Sequence, residues 1–260
     1  MNFFFSFPHT NIDIKSDVRC ELMIPKFNNN GKTFNKVSLW TAFIQNNNWE
    51  YEKCNVFNDD NFYYVEPEDN NKFIYFLAKE EDVNTSNNNK KYELLNFKNI
   101  INTYPQYRAN LKIFLKNRGF SSYQSDYPHE MTKIESNILC PLDILLDKDA
   151  DQNFLFLPNI FFLPKIDKRY CYIIDLEEKN KIESFEIYTN AGNLIQIKNE
   201  LVKPNLYFYT HKISGIPIFI SIKNGCISME HTHSSQHFII SNDRNEVVRN
   251  LKLRLDEIIT

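Results

Sequence analysis

Glycine is scarce in this chain: 5 of 260 residues, where average usage would supply about 18. No G-x-G-x-x-G and no G-x-x-x-x-G-K-[ST] occurs, which excludes a Rossmann dinucleotide turn and a P-loop. Charge of one sign is lacking too. The 30 Lys and Arg face 33 Asp and Glu, for a formal charge of -3, so nothing pulls the chain generally toward nucleic acid or anionic lipid. No apolar run is long enough to predict a transmembrane helix. The opening Phe3-Phe4-Phe5-Ser6-Phe7-Pro8 follows no basic segment and does not read as a signal peptide. Cys20, Cys54, Cys140, Cys171 and Cys226 are odd in number and form no C-x-x-C pair, against a disulfide framework or a zinc ribbon. Most are expected to be small buried hydrophobes in a reducing, cytoplasmic setting. A G-x-S-x-G elbow and an H-E-x-x-H helix are also missing.

What is present is a strand-forming pattern. Apolar residues make up 42% of the chain and aromatic ones 15%, enough for a sizeable core. Two-residue alternation runs through Val18, Cys20, Leu22 and Ile24. Val37 to Gln45 is apolar on both faces, which predicts a central strand. Asn46-Asn47-Asn48 then turns the chain into Trp49 to Phe57. Strands are further expected at 61–66, 72–79, 109–116, 154–157, 160–163, 170–176, 182–189 and 194–198. Pro217 to Ile222, Lys223-Asn224-Gly225 and Cys226 to Thr232 form the clearest hairpin, since Asn-Gly favours a type I′ turn. Pro141 is placed to start a short helix. Asp243 with Glu246 predicts a capping box opening a helix with Val247, Leu251, Leu255 and Ile258 on one face. Its Arg249, Lys252 and Arg254 read as a solvated face. The expected fold is mainly β, an antiparallel sandwich or barrel-like sheets with a C-terminal helix, with α+β as the alternative. Residues 83–91, charged and Asn-rich, read as a linker between a β-sandwich-like unit over 1–82 and a larger unit over 92–260; a single domain is the alternative.

Chemistry concentrates in Met229-Glu230-His231-Thr232-His233-Ser234-Ser235-Gln236-His237, which holds three of the six histidines. On a strand, residues of equal parity share a face, so His231, His233 and His237 can converge while Glu230 points away. Three neutral imidazoles with an open position suit Zn²⁺ or Fe²⁺, which would polarise an oxygen or acidify a bound water. The alternatives are a pocket without metal, or imidazoles that simply hydrogen-bond at a polar strand end. Gly225, five residues, His231-x-His233, three residues and His237 resemble the first metal motif of the cupins. That resemblance implies a metal-binding geometry. His237 stands where that family carries Glu, Arg244 where it carries a second Gly, and no counterpart of its second motif follows.

A second polar and aromatic cluster spans Arg118 to Glu130 and reads as a loop because it has few aliphatics. Tyr123 and Tyr127 offer flat faces for a sugar. Arg108, Arg118 and Gln124 offer hydrogen bonds to hydroxyls or phosphates. Asp126, His129 and Glu130, with Glu230 if the strand bends, are candidates for moving a proton. The function expected is a metal-dependent enzyme acting on a small polar substrate such as a sugar derivative. The alternative is a non-catalytic module binding a glycan or protein. No nucleic acid and no membrane span are expected.

Overall fold

The computed structural model describes residues 2–7, 18–27, 31–33, 36–67, 71–87, 93–94, 108–115, 118–231 and 242–259. They are mostly β, in four antiparallel sheets with a C-terminal helix. Two sheets come from the first half. One has the order β4-β3-β6-β1-β9, built from β1 (Asn2–Phe5), β3 (Ser38–Gln45), β4 (Asn48–Lys53), β6 (Ile74–Ala78) and β9 (Asp126–Pro128). The other runs β5-β2-β7-β8, from β2 (Val18–Pro25), β5 (Phe62–Val65), β7 (Asn110–Leu115) and β8 (Gly119–Gln124). The five-stranded sheet is covered on both faces, so all of β6 is buried. Phe4, Leu39, Tyr75 and Leu77 share a cluster with Leu22 and Ile24 of β2. Phe3, Phe5, Trp40 and Phe76 belong to a second cluster, together with Cys20 and Leu111.

The second half forms a sandwich. Its inner sheet, β14-β11-β16-β17, consists of β11 (Gln152–Asn159), β14 (Ala191–Ile197), β16 (Ile218–Lys223) and β17 (Cys226–Glu230). Its outer sheet, β10-β15-β12-β13, consists of β10 (Ser136–Pro141), β12 (Lys168–Asp175), β13 (Asn180–Tyr188) and β15 (Leu206–Ile213). Alternation distributes the inner sheet between two cores. Leu155, Leu157 and Phe219 pack on Cys171, Ile173 and Phe208 of the outer sheet. Phe154, Phe156, Ile218 and Ile220 turn the other way, into the cluster of Phe3, Phe5 and Trp40. A strand buried on both faces reads as a continuous apolar run, and Phe154-Leu155-Phe156-Leu157 is one. Each such Phe contributes roughly 1.5–3 kcal/mol by leaving water. Helix α3 (Arg244–Ile259) covers the far face of the outer sheet, where Leu255 meets Leu139, Ile174 and Tyr209.

Turn chemistry follows the sequence at the two sharpest hairpins. Asn46 and Asn47 (φ 52° and 58°) and Asn224 and Gly225 (φ 50° and 72°) take the left-handed conformations of a type I′ turn. Elsewhere the structure corrects the expectations. Residues 118–130 are not a loop: they form β8, β9 and a 3-10 turn over His129–Lys133. Residues 160–163 are not a strand, because Phe161 donates its backbone N–H to the side chain of Asn190 instead of a neighbouring strand. Glu80–Asn87, spanning most of the expected linker, is helix α1, and Pro141 precedes the short helix α2 (Leu142–Leu145). Strands from both sides of 83–91 are hydrogen-bonded in common sheets, β1 with β9 and β2 with β7, an arrangement the single-domain alternative accommodates. Helix α3 buries Val248 and leaves Val247 exposed, one position from the expected stripe. Cys20, Cys140 and Cys171 are buried and their thiols pushed up to about 12 by burial, whereas Cys54 is half-buried and Cys226 exposed.

Candidate functional site

The two polar clusters meet. β8 runs beside β17 near the point where β17 leads into the histidine-rich segment. There the Tyr123 ring stands edge-on to the His231 imidazole, with centroids 5.0 Å apart and planes at 73°. Their orientation follows from register. Tyr123 lies opposite Leu111 on the core-facing side of its sheet, while Met229 and His231 share the inward parity of β17. Glu230 faces out and is exposed, as strand parity requires. His233 and His237 lie outside the described residues. Among the described residues no group of three His, Cys, Asp or Glu side chains could hold a metal ion.

One strand further, a set of polar atoms is buried without partners. Ser125 donates its backbone N–H to Ala109 O at 3.1 Å, which brings the start of β7 against the join of β8 and β9. Around that join, Arg108 Nε, Asn110 Oδ1, Ser125 Oγ and both carboxylate oxygens of Asp126 have no hydrogen bond among the described residues. Burial lifts the Asp126 carboxyl from 3.8 to about 7, against the opposing pull of the Arg108 guanidinium and the Ala109 backbone amide. The same guanidinium acts on the Tyr123 hydroxyl, which burial raises, so Arg108 links the carboxyl electrostatically to the ring beside His231. A carboxyl near 7 can take up or release a proton at neutral pH. Buried polar atoms without partners are rare in folded proteins, and a ligand is one way to satisfy them.

The other residues singled out in the sequence are placed differently. Arg118 is exposed and donates to Asn224 O at 3.0 Å, tying the start of β8 to the β16–β17 turn; a Cβ at Gly225 would run into it at 2.3 Å. Gln124 is half-buried at the end of β8, opposite Asn110. Tyr127 is 1% exposed. Its hydroxyl accepts from Ile160 N–H at 3.3 Å and shares its own proton between Ile160 O, at 3.1 Å, and Ser214 Oγ, so it serves the core and presents no face to a sugar. His129 is buried against Phe3, with neither ring nitrogen hydrogen-bonded among the described residues, and burial holds its pKa below the usual imidazole value. Glu130, beside it, is exposed.

A second polar site was not legible in the sequence. Helix α3 and the start of β10 enclose a groove of about 400 Å³, lined by Glu135, Ser136, Asn137, Asn245, Val248, Arg249, Lys252, Leu253 and Asp256. Asp256 backs it: Oδ1 accepts from the Tyr209 hydroxyl and lies 3.0 Å from His211 Nδ1. Lys252, expected in solvent, is half-buried and donates to the carbonyl of Asn137. Tyr207, Tyr209 and His211 share the outward parity of β15, and a strand assignment there would have aligned them. No known protein family, curated protein or solved structure matches this chain.

Proposed function

We propose that the chain is a metal-dependent enzyme acting on a small polar substrate of sugar-like chemistry. The observation that carries this reading is the contact of Tyr123 with His231, which joins the histidine-rich segment to the segment bearing Asp126. His231, His233 and His237 would hold Zn²⁺ or Fe²⁺, and the ion would polarise a substrate oxygen or acidify a water. Arg108 and Tyr123 would orient the substrate, and Asp126, with a carboxyl near 7, would hold or move the proton. Asn110 and Ser125, absent from the sequence-derived set, would hydrogen-bond substrate hydroxyls through their unsatisfied oxygens.

The test is metal content by mass spectrometry on tag-free protein, beside the His231→Ala/His233→Ala variant. Near-stoichiometric Zn or Fe that disappears in the variant is the expected result. Absence of metal after reconstitution at neutral pH overturns the reading.

A second reading, a non-catalytic module for a glycan or protein partner, is favoured by a row of rings along β5. Phe57, 74% exposed, lies 5.4 Å from Tyr64; Tyr64 is 6.2 Å from Phe62, and Phe62 is 5.8 Å from Phe27. Such a row offers stacking faces to sugar rings. Glycan retention that survives chelation and is lost in Phe57→Ala would select this reading.

A further inference from the structure

We propose that the groove between α3 and β10 is a second binding site, for a small hydroxylated organic phosphate, separate from the histidine-bearing region and independent of the metal reading. The fold leaves positive charge uncompensated along one wall of this groove. Lys252 is half-buried, yet its ammonium donates to a neutral carbonyl, that of Asn137, and no carboxylate lies within ion-pair distance of it among the described residues. Taking a cation out of water without a counter-charge is costly. Arg249, one helical turn earlier on the same wall of the groove, has no ion-pair partner among the described residues either. Guanidinium and ammonium one turn apart are suited to the oxygens of a phosphate.

The acidic groups of the groove do not cancel these cations, because they are engaged elsewhere. Glu135 is paired with Arg169 at 2.8 Å, and Asp256 accepts from Tyr209 and faces His211. Their remaining lone pairs are acceptors for hydroxyl groups, and Ser136 and Asn245 on the lining add further polar contacts. A volume of about 400 Å³ exceeds what a bare phosphate fills and falls in the range of small-molecule sites. Phosphate at the Arg249–Lys252 wall and hydroxyls toward Asp256 and Glu135 account for both halves of the groove.

Calorimetric titration of the full chain with glucose 6-phosphate, inorganic phosphate and glucose tests this. Saturable binding of glucose 6-phosphate is expected, weaker binding of inorganic phosphate and none of glucose. Arg249→Gln and Lys252→Met should each weaken the sugar phosphate at least tenfold. Arg249→Gln alters an exposed residue without an ion-pair partner among the described residues, and Lys252→Met keeps the packing of the stem, so thermal melts should show both folded. His231→Ala/His233→Ala should bind as the wild type does, which separates this site from the metal reading. No saturable binding of either phosphate, or wild-type affinity in both groove variants, overturns the proposal. Inorganic phosphate binding as tightly as glucose 6-phosphate overturns the assignment of a hydroxylated body.

Discussion

Asp126 and Tyr127 are successive residues of β9, opposite Phe4 and Phe3 of β1, so their side chains leave the sheet on opposite faces. Both carry buried polar atoms, and their surroundings differ completely. The Tyr127 hydroxyl belongs to a closed network. Ser214 Oγ accepts from it and donates to Met131 O at 2.7 Å; the Ser214 backbone N–H donates to Asn159 Oδ1 at 3.0 Å; and the Asn159 amide donates to Tyr188 O. Nearby, Asn190 accepts from Phe161 N and donates to Leu163 O and Lys165 O, fixing the irregular segment after β11. The Asp126 carboxyl belongs to no such network. Among the described residues neither of its oxygens, nor Ser125 Oγ nor Arg108 Nε beside it, has a well-formed hydrogen bond, and the Arg108 guanidinium and the Ala109 amide exert only a pull on it. A network whose members are all satisfied holds a fold together; a set left unsatisfied costs stability. That contrast is what separates structural polar residues here from candidates for function.

The largest effect is expected at Asp126. Its folded pKa, about 7, stands above the ordinary 3.8. The unfolded chain therefore loses this proton first, and the contribution to stability present below about pH 4 is lost as pH rises through 7. Asp126→Asn should remove that dependence and raise stability above pH 7 by about 2–4 kcal/mol, read as urea midpoints across pH 4 to 8. Loss of stability in this variant at pH 8 would mean that the carboxylate is paired after all. Gly215→Ala strikes the closed network: φ is +89° and a Cβ would lie 2.2 Å from Pro158 O and 3.2 Å from the Tyr127 ring. A loss of about 1–3 kcal/mol in denaturant titration is expected. Tyr127→Phe removes one hydroxyl and leaves Ser214 and Ile160 short of a partner, for a loss of about 1–2 kcal/mol by the same measurement. Arg118→Ala, outside both sets, should change stability by no more than about 0.5 kcal/mol in the same titration.

Much of the β architecture was legible because turn chemistry and alternation are local. The Asn46-Asn47 and Asn224-Gly225 hairpins and the two-faced strand β3 follow from residue type alone. The segment 118–130 was not legible as strands because its core contacts are made by Tyr123 and Tyr127 rather than aliphatics. β15, Leu206–Ile213, was missed because Tyr-Phe-Tyr fills both faces and leaves no alternation to read. His231 and Asp126 could be singled out by type and spacing, but the contact of His231 with Tyr123 depends on β8 lying beside β17, although the two strands belong to different sheets and lie about a hundred residues apart. The α3 groove combines Ser136 with Lys252 and Asp256 across a still longer separation, and no local pattern announces it. Tertiary placement decides which polar residues are partnered, so the unsatisfied set at Ser125 and Asp126 is visible only once the sheets are assembled.

The inner sheet of the sandwich has a consequence for how the chain matures. Phe154 and Phe156 are covered by residues synthesised well before them, Phe3 and Phe5, while Leu155 and Leu157 are covered by strands synthesised after them. β1 itself pairs with Asp126–Pro128, so its phenylalanines emerge from the ribosome long before their partners exist. Contacts of such sequence separation make folding slow and leave apolar strands exposed meanwhile. Yield at the bench and in the cell should therefore depend on chaperone supply and on translation speed between the codons of Phe3 and Phe156.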